Sequence, residues 1–205
     1  YVVDLRREIH KNPELMWTER ATADVIAREL DAHGIEYDRV TSTGIVARVG
    51  RGERSVGLRA DMDALPIHEI TGLDYTSTND GVMHACGHDT HVAMLVGAAK
   101  MLCAKRDQLA GTVQFMFQPG EEGHHGARYM LDDGLIDPLP DAAFALHIMP
   151  NAPRGVFSGR SGPLLASSDV LTITVKGAGG HASMPHDAVD PIPVACEIVS
   201  AIQTM

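Results

Sequence analysis

The stretch TVQFMFQPGEEGHHGARYMLDDG, residues 112–134, passes from an apolar run to a pair of acids and then to a helical segment that Gly134 ends. Its first eight residues, TVQFMFQP, predict a β-strand, and the turn that follows carries Glu121 and Glu122. A strand that ends in charge and leads into a helix is a unit of an open α/β sheet, where ligand sites gather beyond the carboxyl ends of the strands. Two other apolar runs share the pattern. SVGLRADMD at 55–63 ends in Asp61 and Asp63, and AAFALHIMP at 142–150 carries His147. A long apolar helix, from about His91 to Lys105, lies between the first of these and residue 112. Strands alternating with helices predict an α/β fold with a mainly parallel sheet flanked by helices.

Towards the N-terminus, residues 2–11 and 18–33 read as helices. In the second, Ala21, Val25, Ile26 and Leu30 recur at helical spacing and Gly34 stops it. GIVARVG at 44–50 reads as a further strand. Towards the C-terminus the character changes near Leu165. SSDVLTITVKG (167–177) alternates like a half-exposed strand, GAGGHASMPHDAVDP (177–191) is a loop, and PIPVACEIVSAIQTM (191–205) starts a helix. The expected organisation is therefore one domain over 1–165 and the beginning of a smaller α+β domain over 166–205.

The composition narrows the function classes. A chain of 205 residues, 44% hydrophobic and 21% charged, is ordinary for a globular protein. A formal net charge of −10 disfavours nucleic acid and anionic membranes as partners. No apolar run approaches the roughly 20 residues that span a bilayer, and YVVDLRREIHKNPEL, charged every few residues, does not read as a signal peptide. Three widely spaced cysteines, Cys86, Cys103 and Cys196, fit a reducing cytoplasm better than a disulfide framework.

One segment stands out chemically: HACGHD, residues 84–89. Residues two apart in extended chain project to one side, so Cys86 and His88 can reach one metal region, with Gly87 letting the backbone approach. Zinc accepts thiolate, imidazole and carboxylate. Asp61 and Asp63 share a face by the same rule and suit the orientation of ligands. Adjacent Glu121 and Glu122 point apart, so one can bind metal while the other serves as general base. Taken singly, each feature has a structural reading. A Cys-x-His pair can be packing, a Glu-Glu pair a solvated turn, His147 a core histidine, and His124 and His125 loop residues. Their joint placement at strand ends is what brings the metal reading level with these.

RADMDALP (59–66), MHACGHD (83–89), QPGEEGHHGAR (118–128), LHIMP (146–150) and GGHASMPH (179–186) together resemble, in order and spacing, the amidohydrolase branch of the aminoacylase and carboxypeptidase G metallopeptidases. Hippurate hydrolases and hydrolases of auxin–amino-acid conjugates belong to that branch. IHKNPEL (9–15) resembles its opening helix and loop. The resemblance implies a zinc-peptidase-like catalytic domain over 1–165 and the first strand and helix of a lid or dimerisation domain over 166–205. It implies two divalent metal ions, Zn²⁺ or Mn²⁺ with Co²⁺ or Ni²⁺ as further options. Cys86 would bridge them, His88 and His147 would complete one set of ligands, and Glu122 would bind the other ion. Glu121 would be the general base and Asp63 the aspartate that orients the ligands. Asp61 lies where more distant relatives have a metal-binding histidine, which leaves its role open. His181 would polarise the substrate carbonyl, often across a dimer.

Members of that family are about twice as long and carry one more metal-binding histidine in the returning part of the chain. The 205 residues are thus expected to be a truncated part of such a protein, weakly active or inactive alone. The expected activity of the whole is hydrolysis of the amide bond of N-acyl amino acids or related small amides and peptides, by a homodimer or homo-oligomer in the cytoplasm. The alternative is a catalytically inactive fragment acting as a metal-binding or dimerisation module. A serine hydrolase is disfavoured, because no G-x-S-x-G elbow is present.

Overall fold

The computed structural model describes residues 1–134, 136–166 and 169–204. They form two compact units, Tyr1–Ala152 and Pro153–Met205. The change of character near Leu165 falls inside the second unit.

The first unit is built on a five-stranded mixed sheet. Its strands are β1 (Tyr37–Val40), β2 (Gly44–Gly50), β3 (Ser55–Asp61), β4 (Thr112–Gln118) and β5 (Ala142–Ala145), in spatial order β1-β2-β4-β3-β5. β3, β4 and β5 are mutually parallel, whereas β1 with β2 and β2 with β4 are antiparallel. The sheet is therefore less parallel than the alternation of strands and helices suggests. Short links explain the difference: β1 passes to β2, and β2 to β3, without the long crossover that a parallel neighbour requires. β1 itself, YDRV, is too polar and too short to announce a strand, and it forms because β2 folds back against it.

One face of the sheet carries the main core. Ile45, Ala47 and Val49 of β2 and Phe115 and Phe117 of β4 alternate onto this face. They pack beneath α1 (Val2–Lys11), α2 (Arg20–Ala32) and α3 (His88–Cys103). α2 presents Ala23, Ile26, Ala27 and Leu30 at helical spacing. α3 is apolar nearly all round, with Val92, Ala93, Leu95, Val96 and Ala99 buried, as expected of a helix lodged between the sheet and α1. The opposite face holds a smaller cluster of Val40, Val46, Met130 and Ile136, to which α5 (Gly126–Asp132) contributes Met130. A short helix, α4 (Glu121–His124), lies between β4 and α5.

Behind the first turn of α3 is a buried polar network. Asp89 accepts from His10 Nδ1 at 2.7 Å and pairs with Arg6 Nε at 2.6 Å, and His10 Nε2 lies 3.2 Å from Glu69 Oε1. It ties α1 to α3 and to the long loop between β3 and α3.

In the second unit, α6 (Pro191–Ile202) begins as the sequence predicts. Asp190 caps it by accepting from Ile192 N at 2.9 Å, and Pro191 occupies the first turn. The expected strand at 167–177 is not borne out. Ser167 and Ser168 lie outside the described residues, and 169–177 form no ladder. An alternating segment needs a partner strand, and the described part of this unit offers only the isolated bridge Ala178–Val189. Among the described residues no helix is long and apolar enough to cross a membrane.

Candidate metal centre

The register of the parallel strands brings the polar clusters together. Asp61 at the end of β3 sits opposite Gln118 at the end of β4, and Arg59 sits opposite Ala145 at the end of β5. The chain segments leaving these ends carry Asp63, Glu121 with Glu122, and His147. The start of α3 adds Cys86 and His88 from above the same edge. Gly87 makes this entry practicable. It adopts φ of 86°, and a Cβ there would stand 2.2 Å from Ile148 Cδ1.

Two overlapping groups of donor atoms result. Cys86, His88 and His147 form one, and His88, Glu121 and Glu122 the other, with the ligand atoms of each within 4.8 Å of one another. Cys86 Sγ lies 3.4 Å from His147 Nε2, and the Glu122 carboxylate neighbours the same thiol. His88 donates from Nδ1 to the main-chain oxygen of Asp63 at 2.8 Å, with Asp63 Oδ1 at 3.3 Å. That fixes its tautomer and turns the Nε2 lone pair towards Glu121, whose Oε2 is 4.0 Å away. His147 is set in the same way: Nδ1 donates to the Ile148 carbonyl at 2.7 Å, which leaves Nε2 facing the thiol.

Asp63, wholly buried, has a second contact, accepting from the Glu122 amide at 2.9 Å. Burial raises its carboxyl pKa, but the His88 imidazole and the amides of Glu122 and Glu121 outweigh burial and hold it below the usual range. Burial pushes the Glu121 carboxyl up, helped by the charges of Asp61 and Glu122. The Cys86 thiol is pushed up to about 12 by burial and by Glu122, Glu121 and Asp61. Asp61 takes a different partner. Arg59 reaches it through Nε at 2.9 Å and Nη2 at 2.7 Å, and it belongs to neither donor group.

Divalent ions fit this arrangement. Glu121 and Glu122 bring negative charge to the thiol, while Asp61 is already paired with Arg59, and the buried His88 Nε2 and Glu122 Oε1 have no hydrogen-bond partner. Buried acceptors are left unpaired in this way where a cation belongs. The thiolate, imidazole and carboxylate donors suit zinc and its neighbours.

The loop that presents the two glutamates is held from a distance. Glu19, fully buried, accepts from Gly120 N at 2.9 Å and from the Thr43 hydroxyl at 2.7 Å. Burial is the main effect on its pKa and raises it, against those hydrogen bonds. Gly120 and Gly123 take φ of 56° and 79°, and Glu122 between them is non-helical. The two neighbouring carboxylates do not point apart as adjacent residues are expected to, but bring an oxygen each to within 4.8 Å of one another beside His88. On the other side of the site, His91 accepts the Ile148 amide through Nε2 at 3.0 Å. Neither Glu19 nor His91 is flagged by the local sequence, because each works through a partner far along the chain. His124 ends α4 and His125 caps it, and neither joins a donor group. His181 lies in the second unit, exposed, with Ser183 N and Oγ against its Nδ1 at 3.2 and 2.9 Å.

The family model described as peptidase family M20/M25/M40 matches residues 57–202. The chain is 43% identical over 98% of its length to thermostable carboxypeptidase 2 of Saccharolobus solfataricus, of which it covers 53%. It is 43% identical over its whole length to an N-acetylcysteine deacetylase of Bacillus subtilis, covering 54% of it. It is 44% identical, again over its whole length, to IAA-amino acid hydrolase ILR1-like 2 of Arabidopsis thaliana, covering 47%. Among solved structures, a Bacillus subtilis protein described as a dinuclear metal binding peptidase from M20 family superposes with a TM-score of 0.71 at 42% identity, over 74% of this chain and 44% of that one. A chain from methicillin-resistant Staphylococcus aureus superposes with a TM-score of 0.84 at 34% identity, over 99% of this chain and 55% of that one. The chain thus spans about half the length of the curated relatives it matches. With the donor groups of its site formed at the carboxyl ends of β3, β4 and β5, the chain belongs to peptidase family M20/M25/M40.

Proposed function

We propose that the protein to which this chain belongs is a metal-dependent amidohydrolase of N-acyl amino acids or related small amides and peptides. The observation that carries the proposal is the pair of overlapping donor groups with two buried, unpartnered acceptors, His88 Nε2 and Glu122 Oε1. Cys86, His88 and His147 would hold one divalent ion and Glu122 a second, with Cys86 shared. Zn²⁺ or Mn²⁺ suits these donors. When bound, such ions acidify a water and polarise a carbonyl oxygen. Asp63 keeps His88 in the tautomer that offers Nε2. Glu121 is the proton carrier. Its half-exposed carboxylate beside the donors takes a proton from the attacking water and gives it to the leaving nitrogen. His181, within GGHASMPH, is assigned to the substrate carbonyl, where an imidazole N–H steadies the developing oxyanion.

The names of the relatives support an amide linkage beside an amino acid without choosing the acyl group. Assembly as a homodimer through the C-terminal domain, and residence in the cytoplasm, where the free thiols Cys86, Cys103 and Cys196 persist, complete the proposal.

The test separates the adjacent glutamates in the full-length protein. Glu121→Gln keeps its metal, measured by elemental analysis, and loses about 10²–10⁴-fold in turnover of N-acyl amino acids. Glu122→Gln loses metal as well. Wild-type turnover in Glu121→Gln would remove the proposed base.

A further inference from the structure

We propose that His91 is a positioning residue, which holds the His147 segment against Cys86 through the Ile148 amide. The inference rests on the metal-centre reading above and extends it to a histidine outside both donor groups.

His147 needs such a support. β5 ends at Ala145, and residues 146–149 leave the sheet as exposed, irregular chain. Their neighbour is α3, where His91 lies one turn beyond His88 and therefore on the same side of the helix. His91 is buried, with its ring centroid 4.7 Å from that of His147 and 5.6 Å from that of His88. Three imidazoles so close invite the view that His91 is a third ligand, but its hydrogen bond argues otherwise. A backbone amide can only donate, so Nε2, 3.0 Å from Ile148 N, supplies a lone pair and the ring proton sits on Nδ1. A neutral imidazole has one such lone pair, and here it is already engaged.

Ile148 is held at three points. Its N–H reaches His91 Nε2, its carbonyl accepts from His147 Nδ1, and its side chain lies over Gly87, where a Cβ would approach Cδ1 to 2.2 Å. Gly87 is the residue between Cys86 and His88. The same residue thus couples the backbone of one donor segment to the other, and His147 Nε2 meets Cys86 Sγ as a consequence.

The experiment uses Co²⁺ with the full-length protein. Thiolate-to-cobalt absorption reports Cys86, hyperfine-shifted imidazole N–H protons in the NMR spectrum report His88 and His147, and titration gives the affinity. His91→Leu removes the acceptor. His91→Gln carries an oxygen able to reach the Ile148 amide, and His91→Asn is one methylene short of it. The expected result is Co²⁺ binding weakened about 10–100-fold in His91→Leu and His91→Asn. The thiolate band is retained and the His147 N–H signal is lost or shifted, and His91→Gln recovers most of the affinity. Thermal unfolding with chelator present separates packing from positioning, since a merely structural role lowers metal-free stability in all three variants and leaves the cobalt spectrum unchanged. If His91→Leu does not fold, the Gln and Asn variants decide, and equal affinity in those two overturns the inference. A wild-type spectrum without a thiolate band would instead defeat the metal-centre reading itself.

Discussion

Cys86 and Cys103 have the same side chain and opposite surroundings. Cys103 is buried at the end of α3, where Arg106 Nη2 donates to its sulfur at 2.7 Å and the thiol meets the His33 carbonyl at 3.5 Å. Cys86 faces His147 and lies by the carboxylates of Glu122 and Glu121. Cys86→Ala should therefore lower metal content, measured by elemental analysis after exhaustive dialysis, whereas Cys103→Ala should leave it unchanged. Equal metal in both variants would count against a ligand role for Cys86. At this scale much of the candidate site was legible, because its polar residues come in local pairs: a Cys and a His two apart, two aspartates two apart, of which Asp63 orients His88, and two adjacent glutamates. Asp61 shows the limit of such reading. Its spacing matches that of Asp63, yet Arg59, two residues before it on the same strand face, takes up its carboxylate.

Between elements, long-range hydrogen bonds decide what local spacing cannot. Glu19 lies before α2, Thr43 in the turn between β1 and β2, and Gly120 in the turn after β4, yet one buried carboxylate joins all three. No sequence window contains that relation, and Glu19 alone reads as an ordinary surface acid in the first turn of a helix. Removing it strands the Gly120 amide next to the residues that carry the candidate ligand and base. Glu19→Ala should lose about 1–3 kcal/mol of stability in denaturant unfolding, the range for an unsatisfied buried donor. It should also weaken metal binding, measured by competition with a chelator, while Glu19→Gln keeps an acceptor for Gly120 and retains both properties to a larger degree. Unchanged stability in Glu19→Ala would mean that the turn holds its shape without the carboxylate. The elements that sequence patterning misjudged have a common cause. β1 exists because of its neighbour, β5 occupies four residues of an apolar run twice that long, and 169–177 has the alternation of a strand without a partner among the described residues. Periodicity reports which face a segment can bury, whereas a strand also requires another chain segment to accept its hydrogen bonds.

For the molecule as a whole, the order β1-β2-β4-β3-β5 puts a parallel strand at one edge of the sheet, and that edge is the one nearest the site. Parallel strands are normally covered on both faces. β5 is exposed along its full length, with Phe144 61% exposed, and the apolar exposure continues through Leu139 on one side and Leu146 on the other. An unpaired strand edge offers free amides and carbonyls, and an adjoining apolar patch adds a driving force for burial. Together they predict that the 205-residue chain self-associates. Its sedimentation coefficient should rise with concentration, and it should bind a fluorescent apolar dye that a fully covered sheet would exclude. A double variant, Phe144→Lys with Leu146→Lys, puts charge beside the open edge without touching Cys86, His88, Glu121 or Glu122. Its association should fall sharply, while the thiolate-to-cobalt band stays in place. If the wild-type chain sediments as a monomer at every concentration and leaves the dye dark, the open edge of β5 does not drive association and the prediction fails.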